Sequence, residues 1–409
     1  MAENIQLLID QAVQKAIADF QAKLDAEKDD ELTKNLRMVT IASGSSHPEL
    51  AKAIANNLGT ELDNVELRKF ANSETNIRYK STQRNRKVFI VQTGGFVNQV
   101  RLAEKIAKSG GDTTKILELI STMRGVDDYL MELSQMFRAV VLSGGEEITA
   151  IIPFLPYSRS DKREQKERSA IAARLVCDML EKAGSGKLVR IITLDLHAGQ
   201  EVGFTSHAVF DNLYAINLFI DYLDNNLFKG LSLKEIQQNF AFCSPDAGGE
   251  KRTKAWAEAY NMDGFVCTKT RPEAGKVGKI KFCGDKEMVS GKTVILPDDM
   301  IDSGGTMIET ARVLVNDYGA KNVVLAATHG LFTGKALKNI NECNAIIKVI
   351  VVNTLPQDEN QKECDKLVVL DCSQLIAHVL KIKLNDTGDR ERASVSNLFN
   401  VKKWTERLT

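Results

Sequence analysis

Net charge, paired cysteines and long apolar runs are all missing from this chain. Its 409 residues carry 54 Lys and Arg against 54 Asp and Glu, which removes the electrostatic case for nucleic acid or an acidic membrane as partner. No apolar run reaches membrane-spanning length. The N-terminal MAENIQLLIDQ has neither the basic region nor the cleavage pattern of a secretory or organellar signal. The cysteines, Cys177, Cys243, Cys267, Cys283, Cys343, Cys364 and Cys372, form no CxxC pair. Such an odd, unpatterned set argues against a disulfide framework or a zinc site and suits a reducing compartment. A cytoplasmic protein is therefore expected. What the chain does have, 43% hydrophobic residues, suffices for two ordinary domains with sizeable cores.

Patterning supports an α/β architecture. In residues 1–30, Ile5, Leu8, Ala12, Ala16, Phe20 and Leu24 recur at helical spacing ahead of the charged run DAEKDDEL, and predict an added helix for packing or for a partner. From residue 37, β-like runs (MVTIAS, KVFIVQT, EITAIIPF, LVRIITLDL) alternate with helical segments. The alternation repeats after about residue 240 with FAFCSP, GFVCTK, TVILPDD, NVVLAATHG, AIIKVIVVN and LVVLD. Two α/β domains of similar build, each with a mostly parallel sheet flanked by helices, are predicted.

The most informative stretch is VILPDDMIDSGGT, residues 294–306. An apolar run is followed by the acidic pair Asp298 and Asp299, then a turn of small and hydroxyl residues: Asp302, Ser303, Gly304, Gly305 and Thr306. A helical pattern, MIETARVLVNDYG, comes next. Strand, Gly-rich turn and helix is the arrangement in which backbone N–H groups and a helix N-terminus wrap a phosphate. Carboxylates repel phosphate, so the acidic pair makes sense if the ligand also carries hydroxyls. A sugar phosphate fits: Asp298 and Asp299 accept from a diol while the turn holds the phosphate. An ordinary strand–turn–helix connection would account for the glycines but not for the acidic pair. Just upstream, Gly291-Lys292-Thr293 imitates the end of a P-loop. The required first glycine would fall on Lys286, and the triplet precedes a strand instead of a helix.

Other segments accompany this loop in a fixed order: SGSSHPELAKAIANNLG (43–59), FANSET (70–75), IIPFLPYSRSDKRE (151–164), ERSAIAARLV (167–176), TLDLHAGQEVGF (193–204), SPDAGGEKR (244–252), KTR (269–271), THGLFTG (328–334) and VSNLF (395–399). Together they resemble the ribose-phosphate diphosphokinase (phosphoribosyl-diphosphate synthetase) family, over roughly residues 36–400. The resemblance implies two phosphoribosyltransferase-type domains, 36–214 and 215–389, the first completed by 390–409 and preceded by an extension, 1–35. It implies transfer of the β,γ-diphosphoryl group of MgATP to the 1-hydroxyl of ribose 5-phosphate. It also implies a homo-oligomer built from dimers, up to a hexamer; the sequence by itself supports only self-association.

Site residues follow position by position. Phe70, Asn72 and Glu74 offer a ring for stacking and edge donors and acceptors suited to adenine. Read alone, Phe70 would be core and the rest a solvated turn; the resemblance favours ATP. Arg159 follows an apolar strand and suits a nucleotide phosphate. The resemblance places Mg²⁺ near His197 and Asp246, with Asp195 expected to orient the His197 ring. Lys269 and Arg271 can close over a triphosphate and neutralise charge on the transferred group, where unaided reading would leave a solvated basic loop. His329 either lines the ribose-phosphate pocket or packs.

Two departures stand out. Ser160 occupies a position where the family usually has Gln. Residues 99–125, between GGFVN and VDDYLMEL, are an insertion reading as two short helices broken at Ser109-Gly110-Gly111-Asp112. Three alternatives are weighed, one of them a filament-forming or scaffold role that would sit on top of the enzyme, with residues 1–30 or 99–125 the place to look. A non-catalytic regulatory homologue would lack some of His197, Lys269, Arg271 or the 298–306 loop, and all are present. A phosphoribosyltransferase would share the loop but needs neither FANSET nor SPDAGG.

Overall fold

The computed structural model describes residues 33–95, 106–107, 110–114, 116–117, 123–163, 168–269 and 280–384. The predicted N-terminal helix, most of the 99–125 insertion, Arg271 and residues 390–409 lie outside them.

The architecture is α/β with two mostly parallel sheets. The first has the order β1-β4-β5-β6-β7, built from β1 (Val39–Ser43), β4 (Lys87–Val91), β5 (Glu147–Ile151), β6 (Leu188–Leu194) and β7 (Val209–Leu213), all parallel. Helices α1 (Pro48–Leu58), α2 (Val126–Leu142) and α3 (Ala172–Gly184) flank it. The second sheet runs β10-β9-β8-β11-β12-β13-β14. Its strands are β8 (Phe240–Ser244), β9 (Gly264–Lys269), β10 (Ile280–Cys283), β11 (Thr293–Ile301), β12 (Asn322–Gly330), β13 (Ile346–Val352) and β14 (Leu367–Leu370). Only β10 is antiparallel to its neighbour. The connecting helices include α4 (Ile216–Tyr222), α5 (Leu233–Asn239), α6 (Glu250–Glu258), α7 (Gly305–Asn316), α8 (Ala336–Glu342), α9 (Asp358–Glu363) and α10 (Ser373–Leu384).

The central strands are apolar on both faces because both faces are covered, as parallel sheets require. Val88, Phe89, Ile90 and Val91 are all buried, as are Val294, Ile295 and Leu296. One core joins the two sheets: Phe89 and Ile192 of the first share a cluster with Phe242, Ile295 and Ile350 of the second, and with Ile54 of α1 and Leu380 of α10. Separate clusters fill the outer faces, under α2 and α3 for the first sheet and under α7 and α8 for the second.

Polar bonds close the seam where strands of the two sheets end. Thr93 Oγ1 donates to the Thr354 carbonyl at 2.7 Å, and Thr328 Oγ1 donates to Asp195 Oδ2 at 2.6 Å. His329 lies fully within this seam, its Nε2 3.1 Å from the Leu194 carbonyl and its Nδ1 2.9 Å from Thr354 Oγ1. It packs rather than lining a pocket. A two-stranded hairpin, β2 (Val65–Lys69) and β3 (Thr75–Tyr79), stands apart from both sheets and docks on α2 through a Gln135 bond to the Thr75 carbonyl, 2.9 Å. Among the described residues no helix is long and apolar enough to cross a membrane.

Candidate active site

Site residues gather at the carboxyl ends of parallel strands, where open α/β sheets hold their ligands. β11 extends through the acidic pair, so Asp298 and Asp299 are strand residues, Asp298 in register with Ala327 of β12. The chain then turns. Gly304 adopts φ +72°, a left-handed conformation that suits glycine, and serves as N-cap of α7. The Gly305–Thr306 segment thus opens a 12-residue helix, whose first N–H groups have no intrahelical partner, the arrangement in which helix N-termini hold anions. Gly291-Lys292-Thr293 leads into β11, confirming that it is no P-loop.

Around the acidic pair lies a charged cluster drawn from both sheets. His197, just past the end of β6, places Nδ1 2.6 Å from Asp299 Oδ2. Arg252 on α6 reaches Asp298 Oδ1 at 3.3 Å and Asp299 Oδ1 at 3.9 Å. Asp299 is nearly inaccessible, 5% exposed. Burial works against its charge, but the His197 hydrogen bond and the Arg252 guanidinium prevail and hold its pKa below the carboxylate range. Burial and then the neighbouring Asp299 charge push Asp298 upward. The Asp299 hydrogen bond in turn raises His197 against the opposing effect of burial.

Asp195 does not orient His197, contrary to expectation. It takes φ +38°, and its Oδ2 accepts from the Ala215 N–H (3.0 Å) and from Thr328. Asp299 supplies the carboxylate instead. Asp246 caps the short turn Ala247–Gly249, its Oδ1 accepting from Gly248 N (2.9 Å) and Gly249 N (3.2 Å). That turn lies against β11: a Cβ on Gly249 would come 3.9 Å from the Pro297 carbonyl.

Arg159 and Asp302 meet across the seam at 2.6 Å, and the other Asp302 oxygen accepts from Thr333 Oγ1 at 2.6 Å. The Arg159 side chain is 61% exposed, and an ion pair this open contributes only about 0.2–1 kcal/mol. Phe70, Asn72 and Glu74 form the tip of the β2–β3 hairpin, with Phe70 55% exposed, so it is not a core residue. The bonds at this tip are local: Asn72 Oδ1 accepts from Glu74 N (3.2 Å), and Phe70 N donates to the Glu74 carbonyl (2.8 Å). Among the described residues none joins it to the carboxylate cluster. Lys269 ends β9, its backbone in register with Ile280.

Sequence reasoning missed two residues. Arg252 contacts both carboxylates of the pair but is 46 residues from Asp298 in sequence. Glu201, fully buried, accepts from the Ala198 N–H beside His197 at 3.0 Å. Burial is the main reason its pKa rises to about 7. Its position three residues after Ala198 is that of a capping box, a signal obscured because the first residue is Ala. Among the described residues no three His, Cys, Asp or Glu side chains converge as a ready metal shell.

Parallel sheets with acidic and basic groups at their strand ends, and a left-handed turn opening a helix beside them, define an α/β enzyme of the phosphoribosyl type. Residues 39–184 match the N-terminal domain of ribose phosphate pyrophosphokinase, and residues 257–399 the phosphoribosyl synthetase-associated domain. Ribose-phosphate pyrophosphokinase 2 of Schizosaccharomyces pombe is 37% identical over 363 residues, 89% of this chain and 98% of that one. The crystal structure of phosphoribosylpyrophosphate synthetase from Mycobacterium smegmatis superposes with a TM-score of 0.69 at 31% identity, over 85% of this chain and 99% of that one. The chain belongs to the ribose-phosphate pyrophosphokinase family, kinase-type transferases of nucleotide biosynthesis.

Proposed function

We propose that the chain transfers the β,γ-diphosphoryl group of MgATP to the anomeric hydroxyl of ribose 5-phosphate, giving 5-phosphoribosyl 1-diphosphate and AMP. The observation that carries this reading is the acidic pair Asp298–Asp299 on β11, immediately ahead of the αL turn that opens α7. The carboxylates accept from the ring hydroxyls, and the backbone of Asp302, Ser303, Gly304, Gly305 and Thr306 cradles the 5-phosphate. Phe70, Asn72, Glu74 and Arg159 bind ATP. Arg159, resting on Asp302, stands at the border of the two substrates and moves to the triphosphate when it arrives. Lys269 and Arg271 neutralise charge that develops on the transferred group. The 1-hydroxyl attacks the β-phosphorus directly, so positioning and electrostatics supply the catalysis.

The donor set near His197 fits a hard divalent cation that keeps most of its water. His197 gives Nδ1 to a carboxylate, the usual arrangement of a ligating histidine, and leaves Nε2 for the ion; Asp246 adds an oxygen. Mg²⁺ bound there would shield the ATP phosphates and activate them for attack. A homo-oligomer built from dimers, up to a hexamer, is the assembly we take for the chain; the exposed apolar side chains Val209 and Tyr214 at edge strand β7 favour self-association there. We take 36–214 with 390–409, and 215–389, as the two domains, and the cytoplasm as the compartment.

Phosphorus NMR of the purified chain with MgATP and ribose 5-phosphate tests the reaction. AMP and a sugar 1-diphosphate signal, dependent on both substrates, are expected. Intact ATP, even with added inorganic phosphate, would instead identify a non-catalytic regulatory member.

A further inference from the structure

We propose that Glu201 is a positioning residue that fixes His197 for the cation by tethering the peptide immediately after it. The inference rests on the reading of His197 as a cation ligand.

Side chains hold the backbone on both sides of His197, directly on the peptide after it and one peptide removed before it. On the near side, the Leu196 N–H donates to Asn212 Oδ1 at 3.0 Å, after the Asp195 N–H has closed the sheet on the Leu213 carbonyl at 2.8 Å. On the far side, the Ala198 N–H donates to Glu201 Oε1 at 3.0 Å, and the Glu201 N–H returns to the Ala198 carbonyl at 3.1 Å. Gln200 bonds Asp161 and anchors the same turn to the Arg159 loop. These bonds restrict the backbone around His197, and Asp299 fixes the ring.

The second Glu201 oxygen is the unusual part. Oε2 is buried without a hydrogen-bond partner among the described residues, in a side chain that is 0% exposed. An orphaned carboxylate oxygen costs stability, and an apolar side chain of similar size would avoid that cost. Packing therefore does not explain a glutamate here. Its distinctive contribution is the acceptor that holds Ala198, which an apolar residue cannot supply and a glutamine can.

The test compares Glu201→Leu, Glu201→Ala and Glu201→Gln in the full chain. Three readouts are used: the Mg²⁺ concentration for half-maximal activity at saturating substrates, the His197 ring-nitrogen NMR signal of the metal-free protein, and the melting temperature. Glu201→Leu is expected to raise the Mg²⁺ requirement about 10-fold or more, the scale for losing support behind a ligating histidine. It should also move the His197 signal, leave kcat at saturating Mg²⁺ within about twofold, and not lower the melting temperature. Glu201→Ala should reproduce the Mg²⁺ and NMR effects should the leucine fail to fold. Glu201→Gln should restore both. An unchanged Mg²⁺ requirement and His197 signal in the Leu and Ala variants would overturn the proposal, as would a Gln variant as impaired as Leu. His197→Ala separates the two levels: if it leaves the Mg²⁺ requirement unaltered, the ligand reading fails and the proposal fails with it.

Discussion

His197 Nδ1 and Asp299 Oδ2 lie 2.6 Å apart although 102 residues separate them in sequence, and each stands at the strand end of a different sheet. In the proposed reaction this bond joins the cation side of the site to the sugar side. On that reading Asp299 has a second duty: Oδ2 orients the histidine, and Oδ1, toward Arg252, is turned to a ribose hydroxyl. A double-mutant cycle with His197→Ala and Asp299→Ala should therefore show coupling in kcat/KM of about 0.5–3 kcal/mol, the double variant losing less than the sum. Full additivity would mean that the two residues act independently.

Lys269 gives a prediction on the chemical step. It ends β9, on the far side of β8 from β11. Lys269→Ala should lower kcat by roughly 10²–10³, the usual scale for losing one electrostatic stabiliser, with a smaller change in KM. An unaltered kcat would remove it from the mechanism.

Legibility followed the range of the physical signal. Of the twelve described strands in the two sheets, ten are mainly apolar runs, and they could be read because burial on both faces favours that composition. β2 and β3 escaped notice: VELRK and TNIRY are only half-buried, so no clean alternation marks them. β7, VFDNL, has a polar interior and an exposed start for the same edge-strand reason. Within the site, the 298–306 loop was legible because its residues are contiguous. Arg252 and Glu201 were not, since what matters is a partner brought in by the fold. Nearness in sequence even misled: Asp195 is two residues from His197, yet its carboxylate turns to Thr328 and Ala215.

The loop after β1 depends on one buried carboxylate. Glu132 of α2, 1% exposed, accepts from Ser45 N (2.6 Å), Ser45 Oγ (2.9 Å) and Gln92 Nε2 (2.7 Å). Gln92 Oε1 in turn accepts from Ser46 N and Oγ. Glu132→Ala strands several donors at once and should destabilise the chain by about 3 kcal/mol, measured by urea unfolding, since each buried unpaired group costs about 1–3 kcal/mol. A loss below about 1 kcal/mol would show that water takes the place of the carboxylate.

Glu201 makes a prediction about pH that is separate from its effect on the cation. In the folded chain it titrates at about 7 instead of the ordinary 4.5, chiefly because it is buried, with the nearby Asp161 and Asp299 charges adding to the shift and His197 and the Ala198 hydrogen bond opposing it. Between those two values the native state holds a proton that the unfolded state has released, so this group lowers stability as pH rises across that window and no further above it. Glutamine cannot ionise. Melting curves of metal-free Glu201→Gln and the parent chain should therefore lie close together near about pH 5 and separate by about pH 8, with the variant the more stable. Parallel curves across that range would mean that Glu201 ionises normally in the fold, through water reaching Oε2.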